Sequence, residues 1–290
     1  MTQLLGFKDY REQGKRLADE LAIEYLEVAV HHFPDGESKV TLPTALDEKI
    51  IFCRSLDHPN HKLIELFLAC EVARQHGVTH ITLVAPYLCY MRQDIAFNPG
   101  EAVSQKTIGQ WLGQLFDRVI TVDPHLHRIA DLDQAIPNAE TITLSAGKLM
   151  SDFLATRPHP PVLLGPDSES EQWVKQIAEL GGLEWEVAGK QRHSDHNVEI
   201  MLPEIDFKDR VVVIVDDVAS TGRTIAQTAK AVKKKGVQAV NCLITHPLFA
   251  DDAEQVLANA CINHIWSTDS IDHHSNVIQL APLLAKAIKP

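Results

Sequence analysis

Residues 211–224 read VVVIVDDVASTGRT. Five β-branched apolar residues run straight into two adjacent carboxylates, Asp216 and Asp217, and then into Ser220, Thr221, Gly222, Arg223 and Thr224. An unbroken apolar run of this kind predicts a strand buried on both faces, as in a parallel sheet. The carboxylates then stand at the strand's carboxyl end, where open α/β sheets bind ligands. The turn that follows offers hydroxyls, a glycine that lets a backbone come close, and the N–H groups of a starting helix, which together suit a phosphate. Carboxylates touching that phosphate would repel it, so their expected work is to hold sugar hydroxyls or an Mg²⁺ ion. The combination is that of a sugar-phosphate site. Asp216-Asp217 alone would be an ordinary acidic strand end.

Other polar clusters say less by themselves. Residues 33–38, FPDGES, contain a good turn around Pro34-Asp35-Gly36. Arg92, Gln93 and Asp94 follow the apolar run ITLVA and read alone as a solvated loop. His125 lies in TVDPHLH just past another apolar run, Asp167 follows VLLGP, and Lys190 and Arg192 form a KxR in the polar stretch KQRHSDHNVEI.

The elements that must position these groups alternate along the chain. IIFC (50–53), ITLVA (81–85), VITV (119–122), VLL (162–164), VVVIV (211–215) and AVNCLIT (239–245) read as strands. Between them, SQKTIGQWLGQLF places Ile108, Trp111, Leu112, Leu115 and Phe116 on one helical face behind a candidate N-cap at Ser104. STGRTIAQTAKAVKKKG places Ile225, Ala229 and Val232 on one face, with lysines in the last turn and Gly236 as the stop. KAVKKK is thus expected to be a solvated helix end answering its own dipole. Strands alternating with helices predict an α/β fold of parallel βαβ units. LSAGKLMSDFLATRPHPP (144–161) ends in a proline-rich connection after which the strand pattern restarts. The chain is therefore expected to divide into two similar domains, 1–145 and 146–290, each a mainly parallel sheet flanked by helices.

Bulk properties exclude some classes. At 290 residues and 45% hydrophobic, the chain can bury a substantial core. A formal net charge of −12 argues against holding nucleic acid or an anionic membrane by charge. No apolar run approaches the ~20 residues of a membrane span, and the N-terminus MTQLLGFKDYREQGKRL is charged too early for a secretory signal, so a cytoplasmic location is expected. Five cysteines without a CxxC pair are expected to be reduced core residues.

The apolar-DDxxSTGxT string resembles the phosphoribosyl-pyrophosphate (PRPP) binding signature of the type I phosphoribosyltransferase fold. FPDGE and PYLCYMRQD resemble the nucleotide-binding segments of the ribose-phosphate pyrophosphokinase (PRPP synthetase) family, and NPGEAVSQK (98–106) resembles its archaeal-type branch. TVDPHLH is similar to that family's TVDLH, with Pro124 for leucine. LLGPDSESEQW resembles its SPDxGG, with Glu169 and Ser170 in place of the paired glycines. KQRHSDHNVEI is similar to its mobile catalytic loop, and the likeness continues through THPLF, STDS and APLLAKAI, so it spans nearly the whole chain.

That resemblance implies two phosphoribosyltransferase-like domains, ATP and ribose 5-phosphate as substrates, and PRPP and AMP as products. It implies stacking of adenine on Phe33, nucleotide contacts from Asp35, Glu37, Arg92, Gln93 and Asp94, metal ligation by His125 and Asp167, and catalytic roles for Lys190 and Arg192. It implies Mg²⁺ as the cofactor and a homo-oligomer built from dimers. Three alternatives stay open: a phosphoribosyltransferase, a same-fold enzyme with altered donor, acceptor or direction, and a non-catalytic regulatory homologue. His127, His31, His32, His273 and His274 match no motif and are expected to be surface or packing histidines.

Overall fold

The apolar runs become strands because their β-branched side chains pack on a pleated surface covered by helices on both faces. A computed structural model describes residues 2–126, 128–194 and 197–289, the side chains of 190–199 excepted. Two compact units result: residues up to Leu144 with Ser270–Asp272 and the segment from Leu280 onward, and Ser145–Asp269 with His273–Gln279. The C-terminal segment thus returns to the first unit, which a single cut of the sequence does not convey.

The first unit runs β1 (Thr2–Gly6), α1 (Arg11–Leu21), β2 (Tyr25–Glu27), β3 (Ala29–His32), β4 (Ser38–Thr41), β5 (Lys49–Cys53), α2 (Pro59–Gln75), β6 (His80–Val84), α3 (Ser104–Leu115), β7 (Arg118–Val122) and β8 (Glu140–Leu144). Six strands form one sheet in the order β2-β1-β5-β6-β7-β8, every neighbouring pair parallel. Strands β3 and β4 stand apart as an antiparallel hairpin with His32 opposite Ser38.

The second unit runs α4 (Gly147–Ala155), β9 (Val162–Gly165), α5 (Glu171–Gly181), β10 (Trp185–Val187), β11 (Gly189–Ser194), β12 (Asn197–Met201), β13 (Val211–Val218), α6 (Arg223–Lys233), β14 (Ala239–His246), α7 (Ala253–Ala258), β15 (His264–Thr268) and β16 (Asn276–Ile278), after which α8 (Ala281–Ile288) packs on α1 in the first unit. Its sheet has the order β10-β9-β13-β14-β15-β16, again all parallel, and its hairpin is β11-β12. Counting each sheet's strands along the chain, both units have the order 2-1-3-4-5-6, with a hairpin inserted between the second and third strands. The order reverses between β1 and β5 in one unit and between β9 and β13 in the other, and a crevice at the strands' carboxyl ends is the consequence.

Packing follows the apolar faces. On α3, Leu112, Leu115 and Phe116 are buried, and Ile108 and Trp111 pack against the same core. On α6, Ile225, Ala229 and Val232 are buried, and Lys230 and Lys233 occupy the last turn. Ser104 is not the N-cap of α3: it is the first helical residue, and its hydroxyl donates to Gln93 Oε1 at 3.0 Å. Cys53, Cys70, Cys89 and Cys242 are buried as expected, whereas Cys261 is exposed, in the left-handed conformation just after α7. Among the described residues no helix is long and apolar enough to cross a membrane.

Two glycines one helical turn apart set how closely α3 approaches the chain before β8. A Cβ on Gly109 would lie 1.9 Å from the Ala135 carbonyl oxygen, and one on Gly113 would lie 1.9 Å from that of Pro137. Backbone cannot retreat as a flexible side chain can, so any larger residue must push the helix away. Gly109→Ala is expected to lower stability by about 1–3 kcal/mol despite alanine's better helix propensity, measurable as a reduced midpoint in urea unfolding.

Candidate active site

Strand β13 lies between β9 and β14, so its residues 212–215 are buried and its first freedom to carry charge comes at Asp216. Asp216 and Asp217 are adjacent at the end of the strand, and their side chains interact with each other. Their carboxylates are held by the backbone: Asp217 N–H donates to Asp216 Oδ1 at 3.1 Å and Val218 N–H donates to Asp217 Oδ1 at 2.8 Å. Asp217 is buried. Burial, then the charge of Asp217, then that of Asp167, push the Asp216 carboxyl well above its ordinary value.

Asp167 arrives from the other side of the strand-order reversal, two residues beyond the end of β9. Its side chain accepts the Glu169 N–H at 3.1 Å, and its carbonyl accepts both the Ser170 N–H at 3.2 Å and the Ser170 hydroxyl at 2.6 Å. Ser170 is buried against Gly165, where an added Cβ would come within 2.4 Å of its Oγ. Its hydroxyl is therefore spent inside the loop, while Glu169 is exposed. Three carboxylates that the sequence spaces 49 and 50 residues apart (216 − 167 and 217 − 167) thus interact at one sheet edge.

The segment after β13 is tied down by its carbonyls. Phe249 N–H donates to Ala219 O at 2.8 Å and Ala250 N–H to Ser220 O at 3.0 Å. Gly222 adopts φ +65° and caps α6, whose first-turn N–H groups have no helical acceptor. Ser220 and Thr224 are half-buried and Thr221 is exposed around this turn. The Arg223 guanidinium does not join them: it pairs with Asp252 at 3.1 Å, both side chains exposed, so Arg223 offers the site its backbone. Gly222 also lets α7 pack closely, since a Cβ there would meet Leu257 Cγ at 3.0 Å.

In the first unit, Phe33, Asp35 and Glu37 occupy the tip of the β3-β4 hairpin. Phe33 N–H donates to Glu37 O at 2.8 Å, Gly36 N–H to Phe33 O at 2.9 Å, and Glu37 N–H to Asp35 Oδ1 at 3.2 Å. Phe33 is 41% exposed, its ring set edge-to-face with His31 at 4.9 Å between centroids. Residues 91–93 are fastened to the start of α3: Gln105 N–H donates to Gln93 O at 3.1 Å, and its side-chain amide donates to Met91 O at 3.1 Å. Arg92 is exposed, whereas Asp94 is engaged, its nearly buried carboxylate paired with Arg128 at 2.5 Å. His125 is half-buried just beyond β7. His127 lies outside the described residues, as do the side chains of Lys190 and Arg192, whose backbones face Ile200 and Val198 across the β11-β12 hairpin.

One group of charges has no counterpart in the sequence reading. At the first unit's strand-order reversal, Arg54 follows β5 and Asp9 follows β1. Arg54 pairs with Asp9 at 3.1 Å and with the fully buried Glu65 at 2.7 Å, and its guanidinium lies 4.1 Å over the Phe7 ring. Lys62 pairs with Asp9 at 3.1 Å. Glu65 also holds both strands of the hairpin, through His32 Nε2 at 2.7 Å and the Ser38 hydroxyl at 3.1 Å. His32 is therefore an anchor of the hairpin rather than a loose surface residue. A signal was present: Arg54 follows the run IIFC as Asp216 follows VVVIV.

The unfolded chain ionises Asp216 near pH 4, and the folded chain only at higher pH. Between those values the native state binds more protons than the unfolded state, so stability falls as pH rises through the window. Asp216→Asn is expected to remove that fall and to raise the melting temperature of the ligand-free protein near neutrality by roughly 2–4 °C. Melting curves of both proteins from acid to neutral pH check this, with parallel curves as the contrary result.

Two family models match the chain: the N-terminal domain of ribose phosphate pyrophosphokinase over residues 2–115, and the phosphoribosyl transferase domain over residues 134–281. The chain is 32% identical over 279 residues to the ribose-phosphate pyrophosphokinase of Methanopyrus kandleri, covering 95% of this chain and 94% of that one. It is 33% identical over 275 residues to ribose-phosphate pyrophosphokinase 2 of Archaeoglobus fulgidus, covering 95% and 96%. Its fold is similar to that of phosphoribosylpyrophosphate synthetase from Mycobacterium smegmatis, with TM-score 0.84 and 23% identity over 99% of this chain and 97% of that one.

Proposed function

The chain belongs to the ribose-phosphate pyrophosphokinase family, and from that premise we propose that it transfers the β,γ-diphosphoryl group of ATP to the C1 hydroxyl of ribose 5-phosphate. The observation that carries the reading is the second unit's strand-order reversal. There, a desolvated carboxylate cluster sits beside a turn whose N–H groups are left open for an anion.

Ribose 5-phosphate seats its phosphate on the N–H groups and hydroxyls of residues 220–224. Asp216 and Asp217 accept hydrogen bonds from the ribose hydroxyls, which orients C1 away from the phosphate cradle. Phe33 stacks on the adenine, and Asp35, Glu37, Arg92 and Gln93 contact the nucleotide. Asp94 acts through Arg128, to which it is already committed. The C1 oxygen forms a bond to the β-phosphorus as the bond from that phosphorus to the oxygen bridging to the α-phosphate breaks. PRPP and AMP form, and the hydroxyl proton passes to solvent. Lys190 and Arg192 stabilise charge developing on the transferred oxygens, so the protein's share is positioning and electrostatics.

The donor set fits Mg²⁺, which takes hard oxygen ligands. Asp167, Asp216 and Asp217 supply carboxylates; burial first, then the charges of Asp217 and Asp167, oppose ionisation of Asp216, and a divalent cation would offset that opposition. His125, in the first unit, offers a nitrogen donor, softer than this ion prefers. When bound, the ion offsets negative charge on the polyphosphate and orients it.

Phosphorus NMR of the protein with ATP, Mg²⁺ and ribose 5-phosphate is expected to show AMP and PRPP appearing in equal amounts. No AMP, with ADP also tried as donor and PRPP supplied for the reverse direction, would leave a binding protein rather than an enzyme. Lys190→Ala is expected to lower turnover by about 10²–10³-fold with the melting temperature unchanged. Near-normal turnover in a time course of AMP release would remove Lys190 from the catalytic role.

A further inference from the structure

The second unit carries one cluster that the proposed reaction does not use. Glu254 lies in the first turn of α7, and His273 and His274 lie in the loop between β15 and β16. One ligand atom from each of the three residues falls within 4.8 Å of the other two. Glu254 Oε1 is 3.0 Å from His273 Nε2, and Glu254 Oε2 is 4.0 Å from His274 Nε2. Ligands bonded at ~2.0–2.1 Å to a tetrahedral ion stand about 3.4 Å apart, so these two separations bracket the spacing that such an ion needs.

We propose that Glu254, His273 and His274 form a binding site for a borderline transition-metal cation of the Zn²⁺ type, separate from the magnesium site. Two imidazoles and one carboxylate select such an ion over Mg²⁺, which prefers oxygen ligands throughout. The cluster also has the second layer that metal-binding histidines use. His273 Nδ1 lies 2.8 Å from the Ser275 hydroxyl, which is itself 2.7 Å from the Ser267 hydroxyl, and the Phe249 ring packs against the same imidazole at 4.8 Å, tilted by 51°. Without a metal, Nε2 shares a proton with Glu254. In that tautomer Nδ1 accepts the Ser275 backbone N–H at 3.2 Å; with a metal on Nε2, Nδ1 carries the proton, gives up that N–H and donates to the Ser275 hydroxyl, and the ion replaces the shared proton.

The ring of His273 is thus preset, 15% exposed, while His274 at 73% is free to turn and complete the set. Three protein ligands leave a fourth position for water. The ion would tie the start of α7 to the loop before β16. Because Leu257 on α7 rests against Gly222, and Asp252 pairs with Arg223, that staple would brace the outer wall of the phosphate turn.

Calorimetric titration of Zn²⁺ into the tag-free, full-length protein in excess Mg²⁺ is the test. One ion per chain with micromolar affinity is expected. His274→Ala and Glu254→Gln should each weaken binding by more than roughly tenfold, and Asp167→Asn should leave it unchanged. Both cluster variants change exposed side chains, so their metal-free melting temperatures should stay within about a degree of the parent's. No saturable binding, or binding that Asp167→Asn abolishes and the cluster variants do not, would overturn the proposal.

Discussion

Placing like charges at the dry end of a parallel strand is the constraint on which the second unit is built. Asp216 interacts with Asp217 and Asp167 where desolvation already opposes ionisation, so the ligand-free state holds an electrostatic deficit there. A ligand that brings hydroxyl donors or a cation lowers that deficit, and its binding energy includes the relief. Much of the local architecture maintains the arrangement. Strands β9 and β14 enclose β13 so that charge can emerge only at its end, and Ser170 folds the loop back on Asp167.

The same reasoning explains why two sheets of identical strand order carry different chemistry. In the first unit the corresponding crevice is an open cavity lined by Phe7, Asp9, Arg54 and Glu65, with Arg54 paired to Asp9 and Glu65 and Lys62 paired to Asp9. Opposite charges neutralise one another there, and nothing of the second unit's carboxylate repulsion remains for a ligand to relieve. That cluster instead anchors the β3-β4 hairpin through Glu65. The hairpins β3-β4 and β11-β12 occupy the same place in their units, between the second and third sheet strands. One carries the aromatic and acidic tip at residues 33–37, and the other carries Lys190 and Arg192. Identical topology places the two hairpins alike, and side-chain charge makes the two crevices differ, one lined by paired opposite charges and the other by interacting carboxylates.

The phosphate turn depends on a division of labour along the backbone. The carbonyls of Ala219 and Ser220 are consumed by the segment 249–250, which turns the acceptors away from the site. The N–H groups that begin α6 remain available, and Gly222 supplies the left-handed bend that joins the two halves of the turn. Arg223, which looks in the sequence like a phosphate ligand, spends its charge on Asp252. A net charge of −12 is therefore compatible with the proposed phosphate site, because local backbone dipoles rather than summed side-chain charge would attract an anion there.

What the sequence determined by itself is the set of local patterns. Apolar runs marked the strands β5, β6, β7, β9, β13 and β14 and none of the others, helical periodicity marked α3 and α6, and the string from Asp216 to Thr224 marked an acidic strand end followed by a turn suited to an anion. These were legible because each depends on neighbours within one or two turns of chain. The tertiary structure alone decided the rest. Which strands flank the order reversal, and hence that Asp167 meets Asp216, depends on pairing β9 with β13 across nearly fifty residues. That Ser104 bonds Gln93 instead of capping its helix, that Asp94 is taken by Arg128, and that Cys261 is exposed all follow from competing partners far away in sequence. Of the charged cluster around Arg54, only the charge at a strand end was legible; its partners were not, for the same reason. A charge after a strand reads alike whether its counter-ions come from a ligand or from a distant helix, and only folding supplies Glu65.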